Sequence, residues 1–395
     1  MQNLPLKLTK SIDIRKQQNA VRKLGSKKDL IDFSSNDYLG FSDLKPIYFA
    51  AEKILTDFNL MKNGATGSRL LSGNHQLFSH AEDFIANFHS ADSALIFNSG
   101  YDANIGFFSS VPQRGDLIFY DELAHASIRD GISMSRAKAY KFKHNDIADL
   151  RDHIERSRNI NKESEIYIVT ESVFSMDGDI PDLKTLAEFA EKQRCFLVID
   201  EAHSTGVFGL DGAGMVQELG IQDKVFARII TFGKALGCHG AAILGRVALK
   251  EYLINFARSF IYTTALPPHS VATILASYQY LKNKPKIAGL NPKHVEGPEI
   301  KKLKQNIEFF KAEIVANKLQ SFFVESNSAI QSCIIAGNEK VKNAAVKLES
   351  GGYYVKPILS PTVPKGKERL RFCLHSFNSR EEISGVLKIL VKLTN

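Results

Sequence analysis

Six short runs of almost unbroken apolar character constrain this chain most: Ser93–Phe97, Leu117–Tyr120, Ile166–Thr170, Phe196–Asp200, Arg228–Phe232 and Ala241–Leu244. A strand with one wet face alternates polar and apolar residues. These runs do not alternate, so both of their faces need cover. Between two of them, Leu183–Arg194 repeats Leu183, Leu186, Ala187 and Ala190 at helical spacing, and Pro181-Asp182 supplies a start signal. Strand, helix, strand, repeated, predicts an α/β domain built on a mostly parallel sheet.

A chain of 395 residues exceeds the usual size of one compact unit. The pattern changes after about Leu281. Lys282–Pro298 mixes prolines, glycines and lysines and reads as a connector. A helix over Glu299–Lys318 follows. Ala329–Ile335 and Arg369–Leu374 alternate as strands with one covered face do, and Ser379-Arg380-Glu381-Glu382 is a capping-box pattern that opens a last helix to Leu393. The expected division is an N-terminal helix and arm over 1–42, a large domain over 43–282 and a smaller α+β domain over 283–395.

Composition narrows the setting. Hydrophobic residues at 44% and charged residues at 24% describe an ordinary globular protein rather than a disordered or fibrous one. The first residues lack the apolar stretch of a signal peptide, and no apolar run approaches the roughly 20 residues that span a bilayer. Cys195, Cys238, Cys333 and Cys373 are scattered without a CxxC pair, which suits reduced thiols and predicts a cytoplasmic protein. The net charge of +8 gathers partly at Lys301, Lys302 and Lys304. No helix-turn-helix, RNP or zinc-finger pattern accompanies it, so a solvated helix face, or a positive potential steering an anionic acyl-CoA, accounts for it without nucleic acid.

In open α/β sheets, ligands gather at the carboxyl ends of the strands. Asp200 ends one run and leads into Glu201-Ala202-His203. Thr231-Phe232-Gly233-Lys234-Ala235 closes another, Ser99-Gly100-Tyr101 follows a third, and His125 and Ser175 follow two more. One chemistry uses such a set. A lysine in a dry, positively biased pocket becomes an imine-forming nucleophile. A carboxylate at a strand end can hold a pyridinium nitrogen protonated. A small residue before a helix start offers free N–H groups to a phosphate. Lys234, Asp200, Ser99-Gly100 and His125 fill those parts of a pyridoxal-5′-phosphate (PLP) site.

Asn36-Asp37-Tyr38-Leu39-Gly40, Gly67-Ser68-Arg69-Leu70-Leu71-Ser72-Gly73, Asp200-Glu201-Ala202-His203 and Thr231-Phe232-Gly233-Lys234-Ala235-Leu236-Gly237 together resemble the α-oxoamine synthases. The resemblance runs in order from about residue 30 to residue 375. It implies a fold-type I PLP-dependent acyltransferase with an aminotransferase class I/II fold, working as a homodimer. Lys234 would carry PLP, Asp200 would pair with the pyridine nitrogen, His203 would reach the phenolic oxygen and His125 would stack on the ring. Ser175 and Thr231 would lie beside the cofactor, Ser99, Gly100 and Tyr101 would bracket its phosphate, and Thr263 and Thr264 would serve the phosphate of the neighbouring subunit. Arg371 would clamp the amino acid carboxylate with Asn36, while Thr362 and Arg22 would face the acyl substrate. Gly237-Cys238-His239-Gly240 and Pro361-Thr362-Val363-Pro364 favour the member that serves biotin biosynthesis. That member condenses L-alanine with a pimeloyl thioester, carried on CoA or a carrier protein, and releases CO2 and the thiol.

Other classes match less. A metallohydrolase on Asp200, Glu201 and His203 lacks HExxH or a second histidine cluster, and a nicotinamide dehydrogenase lacks GxGxxG after a strand. A catalytically inactive regulatory homologue would have lost the lysine. Within the family, enzymes that take glycine or L-serine share the cofactor set, and no metal is expected in any of them.

Overall fold

All six apolar runs are strands of one seven-stranded sheet, in the order Ser93–Phe97, Ala241–Gly245, Ala227–Thr231, Phe196–Asp200, Ile166–Glu171, Leu117–Asp121, Lys138–Phe142. Only Ala241–Gly245 runs against its neighbours. The structure is a computed structural model and describes residues 4–22, 24, 29–160, 164–283 and 296–394. Most of the connector expected over Lys282–Pro298 lies outside the described residues, as do residues 1–3 of the arm.

The unbroken apolar runs are strands covered on both faces. Phe107 and Phe108 of the helix Gly100–Ser110 and Ile128 of the helix Ala126–Ser133 pack on Val169, Val198, Ile229 and Ile243. Each such side chain contributes roughly 1.5–3 kcal/mol by leaving water. Lys138–Phe142 escapes sequence reading because it is an edge strand, exposed except at Phe142. Its lysines blunt that edge against further pairing and leave no apolar run to read.

The chain divides into two compact units, residues 36–175 with 180–301, and residues 1–35 with 176–179 and 302–395. The first holds the large sheet, whose parallel strands end on Asp121, Glu171, Asp200 and Thr231. The second holds a three-stranded antiparallel sheet, ordered Lys356–Ile358, Arg369–Cys373, Ile330–Ile334, with the helices Asn338–Ser350 and Arg380–Thr394. Its N-terminal part holds a helix, Leu6–Gln17, and a short strand, Ile31–Asp32, that pairs in parallel with Tyr353–Tyr354. The Ser379–Glu382 capping box forms in full: Ser379 N–H donates to Glu382 at 2.9 Å and Glu382 N–H to Ser379 at 3.1 Å. The helix expected from Glu299 is Pro298–Ala316, with Lys301 and Lys302 on its exposed side.

The one-sided character read for Ala329–Ile335 and Arg369–Leu374 is corrected by the structure. Arg369–Cys373 is buried at every position, with Arg369 4% and Arg371 7% exposed. The alternation is real, but its polar members are covered too. Arg369 is paired with Asp177 and bonded to the Lys367 carbonyl, and Arg371 donates to the Cys373 sulfur at 2.9 Å. Among the described residues no helix is long and apolar enough to cross a membrane.

Candidate active site

Lys234 sits in a tight loop between the antiparallel strands Ala227–Thr231 and Ala241–Gly245. Phe232 N–H donates to the Gly240 carbonyl at 2.9 Å, and Gly237 N–H to the Lys234 carbonyl at 2.9 Å. Gly237 has a φ of 62°, and a Cβ there would meet Ser42 N at 2.3 Å, so only glycine closes this turn. The loop holds Lys234 Nζ 2.8 Å from His203 Nε2. His203 Nδ1 lies 2.7 Å from the Tyr38 hydroxyl, which reaches Asn36 Oδ1 at 3.2 Å.

Asp200 is 6% exposed at the end of its strand. Oδ1 accepts from Ala202 N–H and Oδ2 from Asn104 Nδ2, both at 2.9 Å. Asn104 also donates to Ser127 at 3.0 Å, and the Ser127 hydroxyl is 2.8 Å from His125 Nδ1. The Ser127 N–H donates to the same Nδ1 at 3.2 Å, so Nδ1 is the acceptor and Nε2 bears the ring proton. Burial pushes the His125 imidazole below its ordinary value; the Lys234 and Arg129 charges add to this, and Asp200 and Asp130 oppose it. The His125 N–H donates to Glu171 Oε1 at 2.6 Å. Burial first, then the charge of Asp200, pushes the Glu171 carboxyl up to about 8.

The helix Gly100–Ser110 begins where Ser93–Phe97 ends. Ser99 caps it by accepting from Asp102 N–H at 3.0 Å, while its hydroxyl donates to the Asp102 carboxylate at 2.8 Å. The N–H groups of Gly100 and Tyr101, in the first turn, have no carbonyl partner within the helix. A Cβ on Gly100 would stand 3.7 Å from Thr231 Oγ1, which places Thr231 opposite the helix start. Asn98 donates to Thr263 Oγ1 at 3.0 Å and to the Thr264 carbonyl at 2.7 Å. Tyr101 is 48% exposed and donates its hydroxyl to Asp130.

Within the larger unit the fold thus forms two hydrogen-bonded groups, Lys234–His203–Tyr38–Asn36 and Asp200–Asn104–Ser127–His125, with Ser99, Gly100 and Thr231 around one helix start. Ser175 ends that unit's chain segment before residue 176. In the smaller unit, Arg22 Nη2 donates to the Thr362 hydroxyl at 3.4 Å across 340 residues of sequence. Arg371 lies in the buried strand already described. Sequence reasoning assigned no role to Asn104, Tyr38 or Glu171. Glu171 carries the same signal as Asp200, an acidic residue closing an apolar run.

These residues fit PLP. A lysine, a carboxylate that accepts two hydrogen bonds and an imidazole converge at the strand ends beside a glycine-led helix start. The chain belongs to the aminotransferase class I and II family, which matches residues 28–390, and it is a PLP-dependent enzyme of fold type I. Its relatives are more particular. It is 41% identical to the 8-amino-7-oxononanoate synthase of Emericella nidulans, over 91% of this chain and 88% of that one. It is 33% identical to that of Lysinibacillus sphaericus, over 98% and 94%. Among solved structures, the Francisella tularensis 8-amino-7-oxononanoate synthase has a TM-score of 0.75 and 31% identity, covering 93% of this chain and 98% of that one. A serine palmitoyltransferase of S. paucimobilis with bound PLP–myriocin has a TM-score of 0.87 and 26% identity, covering 99% and 98%.

Proposed function

We propose that this protein condenses L-alanine with a pimeloyl thioester to give 8-amino-7-oxononanoate, CO2 and the free thiol carrier, a step of biotin biosynthesis. The observation that carries this reading is the pair Lys234–His203 and the chain Asp200–Asn104–Ser127–His125 in a protein 33–41% identical to synthases of that name. Bound PLP supplies the electron sink for the amino acid's α-carbon.

The chain's own residues do the rest. Lys234 holds the cofactor and, at Nζ, moves the substrate's α-proton, with His203 Nε2 2.8 Å away. Asp200 would pair with the ring nitrogen of the bound cofactor. His125 presents Nε2–H, a donor for the oxygen on which charge develops when the thioester carbonyl is attacked. The helix start at Ser99, Gly100 and Tyr101, with Thr231, would take the phosphate, and Ser175 would lie beside the cofactor. Arg371 and Asn36 are assigned to the amino acid's carboxylate, and Thr362 and Arg22 to the acyl chain. The enzyme is a homodimer in which Thr263 and Thr264 serve the partner's phosphate. We assign it to the cytoplasm, where its four free cysteines stay reduced.

A second reading has an observation behind it. The serine palmitoyltransferase structure superimposes over 99% of the chain. One methyl group in a pocket is worth only about 1–3 kcal/mol, so few substitutions separate alanine from glycine or serine. Thiol release from pimeloyl-CoA by PLP-loaded protein, offered L-alanine, glycine or L-serine in parallel with product masses recorded, decides between them. Alanine-dependent release of the decarboxylated aminoketone is the expected result. Release with glycine or serine alone moves the protein to a sister activity.

A further inference from the structure

Glu171 stands in register with Asp200, each the last residue of its parallel strand. Cross-strand partners point to the same face, and such strands run about 4.8 Å apart. Two carboxyl groups therefore meet at one strand end, and both are buried, Glu171 at 3% exposure and Asp200 at 6%. Their surroundings differ. Asp200 receives side-chain and main-chain donors from Asn104 and Ala202, whereas the bond made by Glu171 Oε1 is to the main-chain N–H of His125. Two like charges this close do not both persist in a dry site, and the carboxyl with more donors keeps its charge.

We propose that Glu171 is a positioning residue of this centre: as a neutral carboxylic acid it anchors His125 through the backbone and leaves the pair's negative charge on Asp200. The inference rests on the function proposed above. The groups facing Glu171 agree with it. Asp200 and Asp121 favour its proton, and Lys234 opposes them. Asp121 is itself tied to His144 Nδ1 and Asn145 N–H, both at 2.9 Å. Glu171 touches no reacting atom in this scheme; it acts through His125 and Asp200.

The test uses full-length Glu171→Gln and Glu171→Ala. Glutamine reproduces a neutral acid, since its carbonyl still accepts the His125 N–H. In PLP-free protein the readout is the melting temperature against pH. The folded state holds the Glu171 proton more tightly than the unfolded state, so it binds more protons between the ordinary glutamate range and about 8. Stability contributed by this group therefore falls as pH rises through that window. The melting temperature of Glu171→Gln minus that of wild type should climb between about pH 5 and about pH 8, then level. In PLP-loaded protein, kcat should stay within about threefold of wild type for glutamine and fall by about 10²-fold for alanine. A flat melting difference, or a glutamine variant as slow as alanine beside an active wild type, overturns the inference. A wild type with neither condensation activity nor lysine-bound PLP defeats the functional reading instead, and the cofactor-free melting series still judges Glu171 by itself.

Discussion

Two nitrogens 2.8 Å apart, Lys234 Nζ and His203 Nε2, share one hydrogen bond, and the residues behind them decide its direction. Tyr38 donates its hydroxyl proton to Asn36, so its oxygen accepts from His203 Nδ1–H. Nε2 is then left to accept from the lysine. Tyr38→Phe removes the group that fixes this tautomer. A hydrogen bond of this kind is worth about 1–1.5 kcal/mol, so kcat should drop about tenfold and the pH profile of kcat/KM should move. A profile superimposable on wild type would show that the tautomer is set elsewhere. Lys234→Ala is the harsher change: lysine-linked PLP should vanish from the mass spectrum after borohydride reduction, and kcat should fall by at least about 10⁴-fold. Lys234, Asp200, His203 and His125 were legible as candidates because each ends or closely follows an apolar run that ends where ligands gather. Glu171 follows one too, yet an acidic residue at a strand end is commonly a turn or cap. What sets it apart is burial against Asp200, which depends on strand order, and strand order is not written in either run. Asn104 was hidden for the same reason, since its link from Asp200 to Ser127 joins three separate segments.

Elements of this fold are pinned by polar groups as well as by apolar cover. Beneath the Asp200–His203 segment, Arg228 is 4% exposed and its Nε donates to Glu201 at 2.7 Å; its other nitrogens reach the carbonyls of His89 and Ala213 at 2.9 and 3.0 Å. Glu201 also accepts from Ser204 and from Val216 N–H, both at 3.0 Å. This network ties the strand Ala227–Thr231 to the loop that carries His203. Removing one member of a buried pair strands the other, so Arg228→Ala should cost about 3–5 kcal/mol in urea denaturation. Arg228→Met with Glu201→Met should recover part of that loss. A single variant as stable as wild type would mean that water replaces the guanidinium. Strand existence was readable wherever strands are apolar throughout. It failed at Lys138–Phe142, an exposed edge, and the covered face of Arg369–Cys373 was misjudged because buried, partnered arginines look like surface ones in sequence.

At the scale of the whole molecule, the proposed dimer makes a claim that one chain cannot satisfy alone. Asn98 donates to Thr263 and Thr264 immediately before Ser99 and Gly100, the proposed phosphate cradle. If those threonines complete the partner's site, each active site is built from two copies, as symmetric dimers allow. Mixing two defective proteins tests this. Lys234→Ala lacks the proposed catalytic lysine, and Thr263→Ala with Thr264→Ala should bind PLP poorly. In a mixed dimer, the site whose lysine comes from the threonine variant receives intact threonines from the lysine variant. Half of the dimers formed after unfolding and refolding an equal mixture are mixed, and each holds one whole site. Activity should therefore return to roughly a quarter of wild type from two nearly inactive parents. Threonines that serve the phosphate of their own chain would give no recovery, because no chain in the mixture then carries both lysine and threonines. Sedimentation of each parent as a dimer is needed for the comparison, and a monomeric wild type that still condenses alanine with the thioester would remove the shared site altogether.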